Sequence, residues 1–428
     1  MPERTDPPGL SNGVLLRLAF RNVRKSARRS ILTASAMTLG LALLILSRTL
    51  ADGAHESWID QGVRLGAGHV AVQGEGYQTS KSLDDLLSAA DLDGAVEALG
   101  SPQFESRVSA YAPRLTAPGL ASSTGSSVPV LLTGVDPAVE VEFSPLDDLL
   151  AEGRYLEPDD RLAAYVGEGL VRRLGLRIGS RFVVTAADAD GQIQGQLLRV
   201  RGVFRTGVPD LDQSLVHLPL STAQDWLGTR GGVTSLAILM WSSRTAAAAR
   251  RELRDLLPSR GVEVLTWTET APELEAAVKI DDLGDWVFHG ITLAIVALAI
   301  LNAVLMSVLH RRREFGVLRA LGLTANETGR VVIAEGVMLS VISGLLGIAL
   351  GLGVVFGFWS DGLDMSFLMD QELEISGSLI DPVMVPAFRI AQIGWSLLFI
   401  LFIGISASLY PARQAARIDV AEAMKFER

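Results

Sequence analysis

Four long apolar stretches constrain this chain more than any other feature. A helix needs about 20 apolar residues to cross the hydrocarbon core of a bilayer. The first stretch runs from Ser30 to Ser47 without a charged residue and ends near Leu50. The others are Trp286 to Leu309, Gly336 to Trp359 and Ile390 to Ala412, and none carries a charge. All four are too long and too free of charge for ordinary helices of a soluble core. Arg21, Arg24, Lys25, Arg28 and Arg29 precede the first stretch, as they would in a cleaved signal peptide. A signal peptide has an apolar core of only about 7–15 residues, so this stretch is read as an uncleaved span.

Charges in the connecting segments orient the spans, because loops rich in Lys and Arg stay on the cytoplasmic side. Segments 1–29, 310–330 and 410–428 together hold 16 basic and 7 acidic residues. The loop 359–388 holds six acidic and no basic residues, and residues 51–285 hold 34 acidic and 20 basic. Both termini and the 310–330 loop are therefore expected inside, with 51–285 and 359–388 outside. The expected fold is an α-helical membrane protein with four transmembrane helices and a large α+β extracytoplasmic domain inserted between helices 1 and 2. The expected segments are a cytoplasmic amphipathic lead-in (1–29), the first span (30–50), the external domain (51–285) and the second span (286–309). A cytoplasmic connecting helix (310–330), the third span (331–359), an external loop (360–388), the fourth span (389–410) and a cytoplasmic tail (411–428) follow.

Overall the 428 residues carry a net charge of −10, which disfavours nucleic acid as a partner. The chain has no cysteine, which excludes disulfides, thiolate zinc sites, iron–sulfur clusters and a lipid-modified N-terminal cysteine. Strand signals in the external domain are His69–Gln73, Val128–Thr133, Arg181–Thr185, Leu197–Phe204, Leu215–Leu218, Ser235–Trp241 and Val262–Trp267. Helical signals are Ser82–Leu99, Gly167–Leu174, Ser221–Leu227, Ala246–Leu257 and Pro272–Leu283.

No catalytic or metal residues are expected. His55, His69, His217, His289 and His310 are scattered, with no HExxH spacing. No GxGxxG or phosphate-binding GxxxxGK[ST] segment occurs. The pairs Asp84–Asp85, Asp147–Asp148 and Asp159–Asp160 read as solvated loop charges. A binding surface is the better expectation for this domain.

Between the second and third spans, His310 to Thr324 reads as a short amphipathic helix at the membrane surface. Phe315, Leu318 and Gly322 fall at i, i+3 and i+7, with Val317 and Leu321 beside them. A basic cluster lying on anionic headgroups would look similar. Glu314 and the glycines favour docking of a partner, since headgroups need no acid and glycines weaken a helix unless close approach requires them. Small residues four apart let membrane helices pack closely. Gly336, Ser340 and Gly344, then Gly347 and Gly351, line the third span, and Ala34, Thr38 and Ala42 line the first. They are expected to serve helix packing within the chain or a dimer seam. Glu335, at the inner end of the third span, is placed to reach the membrane interface or a partner arginine.

These segments together resemble one family. The run Arg311-Arg312-Arg313-Glu314-Phe315-Gly316-Val317-Leu318-Arg319-Ala320-Leu321-Gly322 is similar to the ATPase-coupling segment of FtsX-like ABC transporter permeases, R-R-E-I-G-x-L-R-A-x-G. Tyr410 to Met424 resembles the family's Y-P-A-x-x-A ending, with Val420 in place of the usual proline and Met424 in place of leucine. Leu18 to Asn22, followed by Arg28 and Arg29, matches the lead-in to the first span. Val130–Pro137, Val166–Leu170, Leu174–Gly179, Gly202–Gly207 with Asp212, and Thr266–Pro272 resemble the lipoprotein-releasing (Lol) branch.

The resemblance implies a non-enzymatic permease subunit of an ATP-driven complex in the cell inner membrane, with a periplasmic domain. Its ATPase-coupling residues would be Arg311, Arg312, Arg313, Glu314, Phe315, Gly316, Leu318, Arg319 and Gly322. It implies a cytoplasmic ABC ATPase as a separate chain that binds the ATP and magnesium, with no cofactor here. Further implied partners are a second permease chain, the same or related, lipoprotein cargo, a periplasmic lipoprotein carrier and membrane lipid. The alternatives are a macrolide- or peptide-type exporter and an FtsX-type permease that signals to a cell-wall hydrolase.

Overall fold

In a computed structural model, the protein is described over residues 12–25, 27–257, 261–359, 362–364, 374–375, 378–379, 383–387 and 390–418. It divides into two compact units. One comprises Met1–Ala54, Asp281–Leu363 and Met384–Arg428, and the other His55–Ile280 and Asp364–Val383.

The first unit is helical. Asn12–Lys25 is an amphipathic helix, and four further helices are long and apolar enough to cross a membrane: Ala27–Leu65, Pro272–His310, Ala325–Phe358 and Ile390–Ala416. The first two outrun their apolar stretches. Ala27–Leu65 does not stop near Leu50, because beyond it apolar Trp58, Ile59 and Val63 alternate with polar residues at helical spacing. It ends before Gly66 and Gly68, the latter at φ +75°. The Pro272–Leu283 signal is the start of the second long helix, with Pro272 in the first turn where its missing N–H is harmless. Arg48 pairs with Asp52 (3.7 Å) and with Asp285 on the second long helix (3.5 Å).

Small residues set how closely the spans approach. A Cβ added at Gly336 would strike the Ser408 hydroxyl of the last helix, and one at Gly404 would strike that of Ser340. Each serine is satisfied within its own helix: Ser340 Oγ donates to Gly336 O (2.9 Å) and Ser408 Oγ to Gly404 O (2.6 Å). Gly344 faces Leu397, with an added Cβ 2.7 Å from its Cδ1. On the other side Gly347 meets Leu41, Gly351 meets Ile45 and the Ala42 carbonyl, and Thr38 Oγ1 donates to Ser343 O (3.4 Å). The four-residue stripes thus pack against the chain's own helices, while Ala34 stays half-exposed. Around the seam, Met37, Leu41, Ile300, Val332 and Ile400 form one buried cluster.

The second unit holds a ten-stranded sheet: β1 (Val70–Gly74), β2 (Val108–Ser122), β3 (Ser127–Val135), β4 (Leu150–Gly153), β5 (Ala163–Gly167), β6 (Arg181–Ala187), β7 (Ile193–Phe204), β8 (Leu215–Pro219), β9 (Ser235–Met240) and β10 (Val262–Thr266). The order is β10-β1-β9-β2-β3-β8-β5-β7-β4, and β6 bridges β2 and β7. That bridge closes a circuit of six strands filled by Leu115, Leu132, Val166, Val184, Leu198 and Val216. Helices Ala89–Leu99 and Ala246–Leu256 cover β1 and β9 through Leu99, Ala249, Leu253, Val72 and Ile238. Trp58, Ile59, Leu274 and Val278, from the two long helices, pack with Ala112, Ala237 and Leu239 in a separate cluster.

Strand β2 has no alternation signal because Pro113 and Pro118 interrupt it. Each proline sits where β2 has a neighbour on one flank alone: Pro113 opposite Leu236 of β9, and Pro118 opposite Leu131 of β3. There a missing N–H breaks no second ladder. Asp160 is a correction to the reading of acidic pairs as solvated. It is nearly buried and takes both guanidinium ends of Arg154 (2.7 and 2.9 Å), which hold its carboxyl below the usual range.

His217 lies within β8, opposite Thr133 and Tyr165. Its Nδ1 has no hydrogen-bond partner among the described residues. Burial, and then the positive charge of Arg114, push its pKa down to about 3. The depressed value means the fold binds the neutral ring, so its contribution is complete above the unfolded pKa of about 6.5 and lost as pH falls below it. The unfolding midpoint of the full chain is expected to fall between pH 7 and 5, with a shallower slope in His217→Val. Equal slopes would rule this out. A second test concerns the helix seam: Gly336→Val should cost about 1–3 kcal/mol by overpacking against Ser408, read from unfolding in detergent.

Candidate coupling site between the second and third long helices

A short helix, Arg312–Ala320, follows directly on Pro272–His310. It ends at Leu321, and Gly322 reverses the chain at φ +107°, a conformation glycine adopts without strain. Thr324 then starts the next helix with a capping box: its hydroxyl accepts from Glu327 N (3.3 Å) and its N–H donates to the Glu327 carboxylate (2.9 Å). The two glycines differ in use. Gly316 is buried, as close approach requires, whereas a Cβ at Gly322 would meet open space, so Gly322 serves the turn and not an approach.

Three side chains hold this helix to the first unit. Arg311 Nε donates to Glu314 (2.8 Å), and its NH1 donates to Glu335 of Ala325–Phe358 (3.0 Å). The same guanidinium lies 5.2 Å from the centroid of the Phe315 ring. Phe315 is buried with Ala412 and Ala415, which places the Tyr410-Pro-Ala motif of the last helix against the connecting helix. Arg319 donates to the carbonyls of Ala416 (3.4 Å) and Ile418, at the end of Ile390–Ala416. A cation there complements the negative end of the helix dipole.

The nine residues expected to couple to an ATPase therefore divide. Arg311, Phe315, Gly316, Leu318 and Arg319 turn toward the other helices, Glu314 pairs with Arg311, and Gly322 makes the turn. Arg312 and Arg313 are exposed. So are Val317 (40%), Ala320 and Leu321 (77%). Arg313, Val317, Ala320 and Leu321 fall at i, i+4, i+7 and i+8, one stripe of the helix. Val317 and Leu321, which the sequence placed in the amphipathic pattern but not among the nine expected coupling residues, are exposed on this stripe. Residues after Ile418, including Val420 and Met424, lie outside the described residues.

The second unit has its own exposed apolar face. Leu120, Leu131, Val183, Ile193 and Leu197 are 39–81% exposed. Alternation and register put them on the outer side of the β3-β2-β6-β7 sheet, with Val183 directly opposite Leu197. Among the described residues, no three His, Asp or Glu side chains are grouped as a metal site.

Residues 30–256 match the MacB-like periplasmic core domain, and residues 286–420 match the C-terminal domain of FtsX-like permeases. The chain belongs to the FtsX-like family of ABC transporter permeases. It is 23% identical over 331 residues to the lipoprotein-releasing system transmembrane protein LolC of Neisseria meningitidis serogroup B, covering 74% of this chain and 78% of that one. It is 26% identical over 436 residues to the macrolide export ATP-binding/permease protein MacB 2 of Aeromonas hydrophila, covering 96% of this chain and 60% of that one. The solved extracellular domain of the Gram-positive transporter YknZ aligns over 46% of this permease and 99% of that chain, at 16% identity and a TM-score of 0.33.

Within the permease, the Lol-like segments build turns and caps. Asp212 accepts from Thr206 N (2.8 Å) and Oγ1 (2.9 Å), and Arg205 pairs twice with Glu168 (2.8 Å each). Removing Arg311 leaves Glu335 without its cation in a nearly buried position. Arg311→Ala is expected to lower stability in detergent by about 3 kcal/mol, and Arg311→Met with Glu335→Leu to recover most of it. Additive single effects in that double-mutant cycle would show that the pair is not coupled.

Proposed function

We propose that this permease is the membrane subunit of an ATP-driven complex whose ATPase, carried on another chain that binds the ATP and magnesium, docks on the Arg313–Val317–Ala320–Leu321 stripe. The observation that carries the reading is an exposed apolar stripe on a helix tied by arginines to two other helices. A push on the stripe is passed to Ala325–Phe358 through Arg311–Glu335 and to the end of Ile390–Ala416 through Arg319. Two permease chains, identical or related, would face each other in the inner membrane, with both termini cytoplasmic and the sheet-bearing unit periplasmic. ATP binding in the ATPases would then switch the permeases between two arrangements.

For the cargo we favour a lipid-anchored protein, released from the outer leaflet to a periplasmic carrier. Its support is the likeness to LolC together with the outer face of Leu120, Leu131, Val183, Ile193 and Leu197, which suits a carrier or an acyl chain better than a polar solute. Export of a small apolar molecule is the second reading, and its support is the likeness to MacB 2.

The test is reconstitution in proteoliposomes with the ATPase, scoring ATP-dependent transfer of a lipoprotein to a soluble carrier. Leu321→Asp, on the exposed stripe, is expected to leave folding intact and cut transfer at least about tenfold, the effect of losing about 1.4 kcal/mol of docking. Full transfer by that variant would remove the stripe from the docking surface. A complex that extrudes a dye but releases no lipoprotein would favour export.

A further inference from the structure

The last three turns of Ala27–Leu65 lie in the second unit and carry polar side chains every four residues: Glu56, Asp60 and Arg64. Each faces a different part of that unit. Glu56 accepts from Ser242 Oγ (3.0 Å) and Ser243 N (2.8 Å) and lies 3.5 Å from Arg244. Asp60 is 3.9 Å from Nε2 of buried His69, whose Nδ1 accepts from Met240 N (3.2 Å). Arg64 bonds Asp60 (2.6 Å) and donates to Phe143 O (3.3 Å).

The helix end itself is held by one residue of the sheet. Arg114 donates to the carbonyls of Arg64 (3.0 Å) and Gly66. It stacks 4.4 Å over the Phe143 ring and forms a two-bonded pair with Glu140. Arg114 is 4% exposed and Glu140 0%. Its place in the sheet is particular. Arg114 is the last residue of β2 opposite β9, at Ser235, and the first opposite β3, at Val135. The β1–β9–β10 part of the sheet and the closed circuit of strands meet at that residue. A buried ion pair adds little net stability over a packed apolar pair, so stability does not account for one here. A fork that fixes two carbonyls and a carboxylate does set an orientation.

We propose that Arg114, held in place by Glu140, is a positioning residue that makes both parts of the sheet follow the end of the Ala27–Leu65 helix as one body. Its use in transport rests on the permease reading above, but the clamp is tested without it. Because the chain has no cysteine, Gln61→Cys on the helix and Gln194→Cys at the far side of the sheet admit two spin labels cleanly. The full-length permease in nanodiscs is expected to give one narrow distance. Adding Arg114→Met with Glu140→Leu, an apolar pair that preserves packing, should widen the distribution about twofold while the unfolding midpoint is kept. Arg114→Lys, which keeps the charge but loses the fork, should fall between. An unchanged width in both variants overturns the clamp. In the reconstituted complex, the widened variant should keep ATP hydrolysis and lose lipoprotein transfer at least about tenfold. Full transfer despite a widened distance would overturn the positioning role. Loss of ATPase association in the parent would instead count against the permease reading.

Discussion

A helix that leaves lipid without breaking must change what satisfies its surface, and the rest of the structure depends on how this chain does so. From Ser30 to Ser47 the first long helix carries no charged side chain, and its backbone groups are bonded internally. Past Leu50 the same helix carries Glu56, Asp60 and Arg64 on one face and Trp58, Ile59 and Val63 on another. The polar face finds Ser243, His69 and Phe143 O, and the apolar face finds Leu274 and Val278 of the second long helix.

Close approach in the helical unit rests on missing side chains. Gly336 and Gly404 leave space that Ser408 and Ser340 fill, and each hydroxyl then bonds its own helix backbone, so the seam needs no polar bond across it. Dispersion contact at short range is what remains to hold apolar helices together in lipid, where there is no hydrophobic gain from association. The connecting helix adds the complementary device. Arg311 and Arg319 reach Glu335 and the Ala416 carbonyl, ionic contacts that fix direction where close packing fixes distance.

Much of this was legible in the chain, and what was not has identifiable causes. The four spans are visible because lipid demands unbroken apolar runs. Strands β3, β6, β7 and β10 are visible because apolar and polar residues alternate along them, and β1, β8 and β9 are visible as short, mostly apolar runs buried on both faces. Strand β2 was hidden by Pro113 and Pro118, whose tolerance depends on which flank carries a neighbour, a property of the assembled sheet. β5 was hidden because Ala163, Ala164 and Gly167, three of its five residues, are weak strand formers. At the connecting helix, spacing identified the segment and its arginines but could not tell its buried Phe315 from its exposed Val317 and Leu321, because all three lie within one amphipathic pattern. Arg114 and Glu140, 26 residues apart and on different elements, leave no local pattern at all.

The two arginines that close helix ends repay comparison. Arg114 takes the carbonyls of Arg64 and Gly66 at the end of the first long helix, and Arg319 takes those of Ala416 and Ile418 at the end of the last. A glycine cap satisfies such carbonyls locally and ties the helix end to nothing else. Here the local bonds reach Val63, Gln414 and Ala415, and the remaining carbonyls wait for a side chain from a distant element. Guanidinium suits the task because it spans two acceptors in a fixed plane, as an ammonium does not. Each of these helix ends is thereby bonded to an element distant in sequence, β2 in one case and the connecting helix in the other. A capping requirement present in every helix has thus been met in a way that also links separate elements.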